Sequence, residues 1–80
     1  FLMSNFALYP NPVTSKINIS FPEGISNCTF TIYSILGNKV LSTEISRNLN
    51  SVNIESLNSG MYIASINSNN KQISFKIIKE

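Results

Sequence analysis

Side chains able to do chemistry are few in this chain, and their spacing argues against most reactions. There is no His, no Asp, and the only carboxylates are Glu23, Glu44, Glu55 and Glu80. Without His the chain lacks the commonest general base and metal ligand. Ser-His-Asp and Cys-His constellations go with it. A glycosidase needs two carboxylates about 5 to 9.5 Å apart across a sugar-sized cleft. The four glutamates fall instead at turns, at an apparent strand end and at the last position, with no sign of a pair. There is no His/Cys cluster or acidic calcium loop, and no glycine-rich phosphate loop. Cys28 is the one cysteine, so an internal disulfide is ruled out. It stands in phase with Phe30 and Ile32, which reads as a small core residue rather than a reactive thiol. Asn18-Ile19-Ser20 and Asn27-Cys28-Thr29 fit the N-glycosylation pattern, but chance matches are expected with twelve Asn and thirteen Ser. The residues therefore predict a protein that is not an enzyme, with no cofactor, no metal and no small-molecule substrate.

Composition sets the bounds within which those residues must be held. Eighty residues make one domain, and a chain of this size buries only about 60% of the surface it exposes when unfolded. The 42% apolar content is enough for such a thin core, while only 12% of residues are charged, so the surface relies on uncharged Asn and Ser. A net charge of +2 is too small for a long-range field and gives no argument for a nucleic acid or membrane partner; no nucleic acid partner is expected. No apolar run approaches the ~20 residues that cross a bilayer. The opening residues Phe1-Leu2-Met3-Ser4-Asn5 have neither a basic region nor a small-residue cleavage site. Starting on Phe, the sequence reads as the continuation of an upstream polypeptide, with residues 1–4 the end of a linker and residues 5–80 the domain.

The dominant pattern is alternation of apolar and polar residues at period two, the mark of a half-buried strand. Ile17, Ile19 and Phe21 form one such face, Cys28, Phe30 and Ile32 a second, and Ile73, Phe75 and Ile77 a third. These stretches are rich in Ile, Thr, Phe and Tyr, which suit a pleated sheet. Lys39 to Ile45 and the short Val52-Asn53-Ile54 read as further strands. Met61 to Ile66 is apolar on both faces and predicts a central strand. Asn5 to Tyr9 reads as an edge strand stopped by Pro10 and Pro12, which cannot donate ladder hydrogen bonds. Gly24, Gly37 and Gly60 each punctuate strand candidates. Leu36-Gly37-Asn38-Lys39 reads as a hairpin turn, and Asn67-Ser68-Asn69-Asn70 serves as the last turn because Asn tolerates positive φ. A helix is conceivable only as a single turn near Glu55-Ser56-Leu57. About seven short strands at roughly ten-residue spacing predict an all-β, immunoglobulin-like antiparallel β-sandwich.

Two features carry more specific expectations. Leu57-Asn58-Ser59-Gly60-Met61-Tyr62 resembles a tyrosine corner, in which a Tyr at the start of a late strand bonds back to upstream backbone. On this reading Gly60 permits a close backbone approach and Leu57 plugs the sheet end. Lys71, Lys76 and Lys79 cluster near the end of the chain, where lysines protect an exposed edge strand from aggregation or form a recognition patch.

Taken in order, four elements resemble the type A C-terminal sorting domain of the type IX secretion system. They are Pro10, Asn11 and Pro12 after Tyr9; Gly37 and Val40 in Gly37-Asn38-Lys39-Val40; Leu57, Gly60 and Tyr62; and Lys76 and Lys79 around Ile77-Ile78. The resemblance covers roughly residues 6 to 80. It implies an immunoglobulin-like sandwich that follows a covalently continuous cargo protein. It also implies a route: the periplasm in transit, recognition of the folded domain by the outer-membrane translocon, then the cell surface or extracellular space. A sortase-like cysteine protease is implied to remove the domain upstream of its first strand, and the cargo is then commonly attached to anionic lipopolysaccharide. The domain is the substrate of this process. Backbone pairing along an exposed last strand is one mode by which the translocon could read it.

Two other readings compete. One is an immunoglobulin-like adhesion or carbohydrate-binding accessory module, which the absence of Trp and the core phase of most aromatics count against. The other is a structural spacer, which would work equally well in the middle of a chain. Open sandwich edges also allow an edge-strand homodimer.

Overall fold

Alternation at period two turns every second side chain inward, and two sheets facing one another bury those side chains together. The computed structural model describes residues 5–80 and shows this arrangement, with seven strands and no helix among those residues. The linker expectation for residues 1–4 lies outside the described part. The strands are β1 (Ala7–Tyr9), β2 (Lys16–Ser20), β3 (Asn27–Ser34), β4 (Lys39–Ser46), β5 (Ser51–Asn53), β6 (Gly60–Ser68) and β7 (Lys71–Lys79). A three-stranded sheet has the order β1-β2-β5 and a four-stranded sheet the order β4-β3-β6-β7. All strand pairs are antiparallel. The molecule is an immunoglobulin-like β-sandwich, as the pattern predicts.

The core is shared by both sheets. Ile17 and Ile19 of β2 and Val52 of β5 face Phe30 and Ile32 of β3, Ala64 and Ile66 of β6 and Ile77 of β7, all buried. Each fully buried Ile contributes about 1.5 to 3 kcal/mol relative to exposure. Cys28 is buried at 4% exposure in the phase expected of it. Phe6 and Phe21 meet edge to face, with ring centroids 5.4 Å apart, and close one end of the core. Among the described residues no buried side-chain N or O atom lacks a partner.

The turns follow from backbone chemistry. The β6–β7 hairpin places Asn69 and Asn70 at φ 51° and 64°, both left-handed, which is the geometry a two-residue hairpin requires. The β3–β4 turn lies two residues earlier than Leu36–Lys39. Gly37 N–H donates to Ser34 O at 2.9 Å and Ser34 N–H to Asn38 O at 2.8 Å, so Ile35 and Leu36 form the tip. Gly37 follows at φ 90°, the position where a glycine is needed. The stretch at Glu55–Leu57 is a lone turn closed by Leu57 N–H on Ile54 O at 3.0 Å.

Candidate recognition surface

The four motif elements, scattered along the chain, meet at one end of the four-stranded sheet. The register sets Ser34 opposite Tyr62 and Tyr62 opposite Ile77. Gly60 faces Lys79, and the β3–β4 hairpin carrying Gly37 and Val40 closes the same end. The Pro10–Pro12 element reaches this end by crossing from β1 toward β7.

Asn11 is what joins it there. Its side-chain Nδ2 donates to Lys76 O at 3.0 Å, and its Oδ1 accepts from Ile78 N–H at 3.0 Å. The carboxamide thus imitates one peptide unit of a neighbouring strand. Val13 continues the imitation with its backbone: Val13 N–H donates to Ile78 O and Glu80 N–H to Val13 O, both at 2.8 Å. The bridge between Val13 and Lys79 runs parallel. Pro10 and Pro12 have no N–H to give, and both peptide bonds preceding them are cis. Val13 is fully buried, so one residue both pairs with the β7 edge and fills the core.

This clasp covers only the end of the β7 edge. By strand parity the outward groups of Gln72 and Ser74 point away from β6, like those of Ile78. They have no backbone partner among the described residues. The last strand is therefore an edge that is open over Gln72–Ser74 and closed from the Lys76 carbonyl onward.

The two motif lysines part company. Lys76 is exposed on the outer face of the sheet. Lys79 points to the inner side at 7% exposure, its Nζ donating to the Glu80 backbone oxygen at 2.9 Å. Successive strand residues face opposite ways, so residues three apart cannot share a face. An exposed patch built from both side chains, or edge protection by both, is thus not what this fold presents.

The tyrosine corner is present: Tyr62 Oη donates to Asn58 O at 2.7 Å. Leu57 and Tyr62 pack against the core from the sheet end. Gly60 does not act through close approach, since a Cβ there would meet nothing within 4 Å. Its requirement is conformational, at φ 146°.

Elsewhere, a shallow hollow of about 390 Å³ opens beside β4 and β5, lined by Leu41, Ile45, Leu49 and Val52 among others. It contains one carboxylate, Glu44, which accepts from the Thr29 hydroxyl at 2.5 Å. Among the described residues no three His, Cys, Asp or Glu side chains converge as a metal site would require. Burial, followed by the Glu44 charge, pushes the Cys28 thiol up to about 11, so it stays protonated at neutral pH.

Asn11 stood out in the sequence only as part of a motif, and Val13 did not stand out at all. No local signal marks either as a partner of β7, because both pairings close loops of more than sixty residues. A model of the family described as the secretion system C-terminal sorting domain matches residues 7–80. No curated protein matches the chain.

Proposed function

The chain belongs to the type IX secretion system C-terminal sorting domain family, and on that premise we propose that the end of the four-stranded sheet where its motifs converge is the label the secretion machinery reads. As a sorting domain of this family it is a signal for type IX secretion, and the protein carrying it is destined for the cell surface or the extracellular space. The finer reading is that it acts without catalysis of its own. A cargo is covalently continuous upstream, residues 5–80 form the sorting domain and residues 1–4 end the linker. The folded domain reaches the outer-membrane translocon from the periplasm. A sortase-like cysteine protease then cuts upstream of β1.

One observation supports the reading above the others. Elements as distant as Asn11 and Ile78 are bonded into one local structure, so the label exists only in the folded chain. A translocon that inspects this end therefore tests folding as well as sequence. Carriage of carbohydrate is not favoured. Of the aromatics among the described residues, Phe6 and Phe30 lie in the core and Phe21, Tyr62 and Phe75 pack on it. Tyr9 and Tyr33 remain, on different sheets, and form no ring platform.

The test is a reporter with a signal peptide, fused ahead of the full chain in a bacterium that has a type IX system. The intact fusion is expected at the surface or in the medium. A fusion ending at Phe75 is expected to stay in the periplasm. Periplasmic retention of the intact fusion would refute the function, and export of the truncated one would refute the role of the terminal element.

A further inference from the structure

The outer face of the four-stranded sheet is divided into two unlike halves. Strand register sets Ser42, Thr31, Ser65 and Ser74 in one row across β4, β3, β6 and β7. Glu44, Thr29, Asn67 and Gln72 form the row beyond it. These hydroxyls, amides and carboxylate bond to each other: Thr31 to Ser42 at 3.2 Å, Gln72 to Ser65 at 2.9 Å, Thr29 to Glu44 at 2.5 Å. This half is polar and internally hydrogen-bonded, with Thr31 and Ser65 buried beneath their polar neighbours. In the other direction the next row is Lys39, Tyr33, Ile63 and Lys76, followed by the pair Met61 and Ile78. Ile35 and Val40 extend the apolar area onto the β3–β4 hairpin, at 69% and 42% exposure. None of these apolar residues belongs to the core or packs against it; Met61 is 44% exposed, while Tyr33, Ile63 and Ile78 are half-buried on the outer face.

The solvent side of an antiparallel sheet is ordinarily polar. Single exposed apolar residues need no explanation, but a contiguous group rimmed by polar residues marks a docking surface. Edge protection accounts for lysines on β4 and β7, the two edge strands. It does not account for Tyr33 and Ile63 between them, on the two central strands. We propose that this half-face docks on a protein surface of the secretion machinery that has an apolar centre and carboxylates placed to meet Lys39 and Lys76. The charges select this occupant. Two-fold apposition of the row with a second copy sets lysine against lysine, whereas an acidic-rimmed partner pairs both ends while the centre is desolvated. The inference rests on the sorting-signal reading and adds the face and the chemistry of the partner.

The reporter fusion tests it with three changes to the domain. Ile63→Thr with Ile78→Thr removes the apolar centre while keeping residues that suit strands. Lys39→Glu with Lys76→Glu reverses the rim at two exposed positions. Gln72→Ala with Ser74→Ala alters the polar half as a control. Purified domains are compared by urea unfolding, so that a folding defect is seen separately. Surface delivery is expected to fall at least about tenfold in both of the first pairs, the equivalent of 1.4 kcal/mol of binding, and to be unchanged in the control. A photocrosslinker replacing Ile63 in the wild-type background is expected to capture an outer-membrane component of the system, and one replacing Gln72 is not. Normal delivery by the charge-reversed domain, or capture at position 63 only of a second copy or of lipid, overturns the inference. If the unaltered domain delivers no reporter, the sorting reading itself fails and takes this one with it.

Discussion

Tyr62 and Cys28 show how single side chains serve this fold without doing chemistry. The Tyr62 hydroxyl satisfies the Asn58 carbonyl in the loop that enters β6. Tyr62→Phe keeps the ring and loses that bond, and is expected to cost about 1 kcal/mol. The reading is a lower urea midpoint at unchanged m-value; an unmoved midpoint removes the corner from the list of stabilising contacts. For Cys28 the sign follows from linkage. Its thiol is raised from 9.0 to about 11 in the folded chain. Above pH 9 the unfolded state gives up the proton first, so native stability declines as pH rises from about 9 to about 11. Comparing wild type with Cys28→Ala is expected to show a shallower alkaline decline in the variant, measured as urea midpoint against pH. The wild-type thiol should also react slowly with thiol reagents at pH 8 and rapidly once the chain is unfolded.

Among the elements, the segment Asn11–Val13 is the least regular and the most consequential. It stands beside β7 as a surrogate strand, with a carboxamide supplying one peptide's donor and acceptor and Val13 supplying the next. Asn11→Ala removes both side-chain bonds and is expected to destabilise the domain by about 1 to 3 kcal/mol. Amide exchange at Ile78 N–H should accelerate, while exchange at Ile77, whose N–H faces β6, should track only global stability. Asn11→Asp keeps the acceptor for Ile78 but cannot donate to the Lys76 carbonyl when ionised, and is expected to fall between. Equal exchange at Ile78 in all three proteins would mean the clasp contributes nothing. The same segment explains why β7, an edge strand of nine residues, is not open along its whole length.

The described residues share one core cluster, and small domains have only about 5 to 15 kcal/mol of stability to lose. Phe30 is among the largest fully buried side chains and is contributed by β3, which pairs with both β4 and β6. Phe30→Ala is expected to cost about 3 to 5 kcal/mol, a large part of what a domain this size has. It should abolish the cooperative urea transition or bring its midpoint close to zero, and in the reporter fusion it should abolish delivery even though every motif residue is intact. Delivery surviving that substitution would mean the label is read as a linear sequence. The architecture argues the other way, since the end proposed for recognition is assembled from β3, β6, β7 and the crossing segment together.

Alternating residues, left-handed-tolerant Asn and Gly, and missing His and Asp are local properties, and they determined the strands, the last hairpin and the poverty of reactive groups. The core was readable for the same reason, because Ile17, Ile19, Phe30 and Ile77 each declare a face through their immediate neighbours. What only the tertiary structure decided depends on contacts distant in sequence. The pairing of Asn11 and Val13 with Ile78 leaves no periodic trace. The inward turn of Lys79 and the outward one of Lys76 follow from which face of β7 is covered. Apolar residues on both faces of Met61–Ile66 were consistent with burial on two sides. Only the assembled sheet shows that β6 is central within its own layer while the second sheet packs on its inner side alone. Period two assigns alternate residues to two faces; it does not say which of those faces another layer will cover.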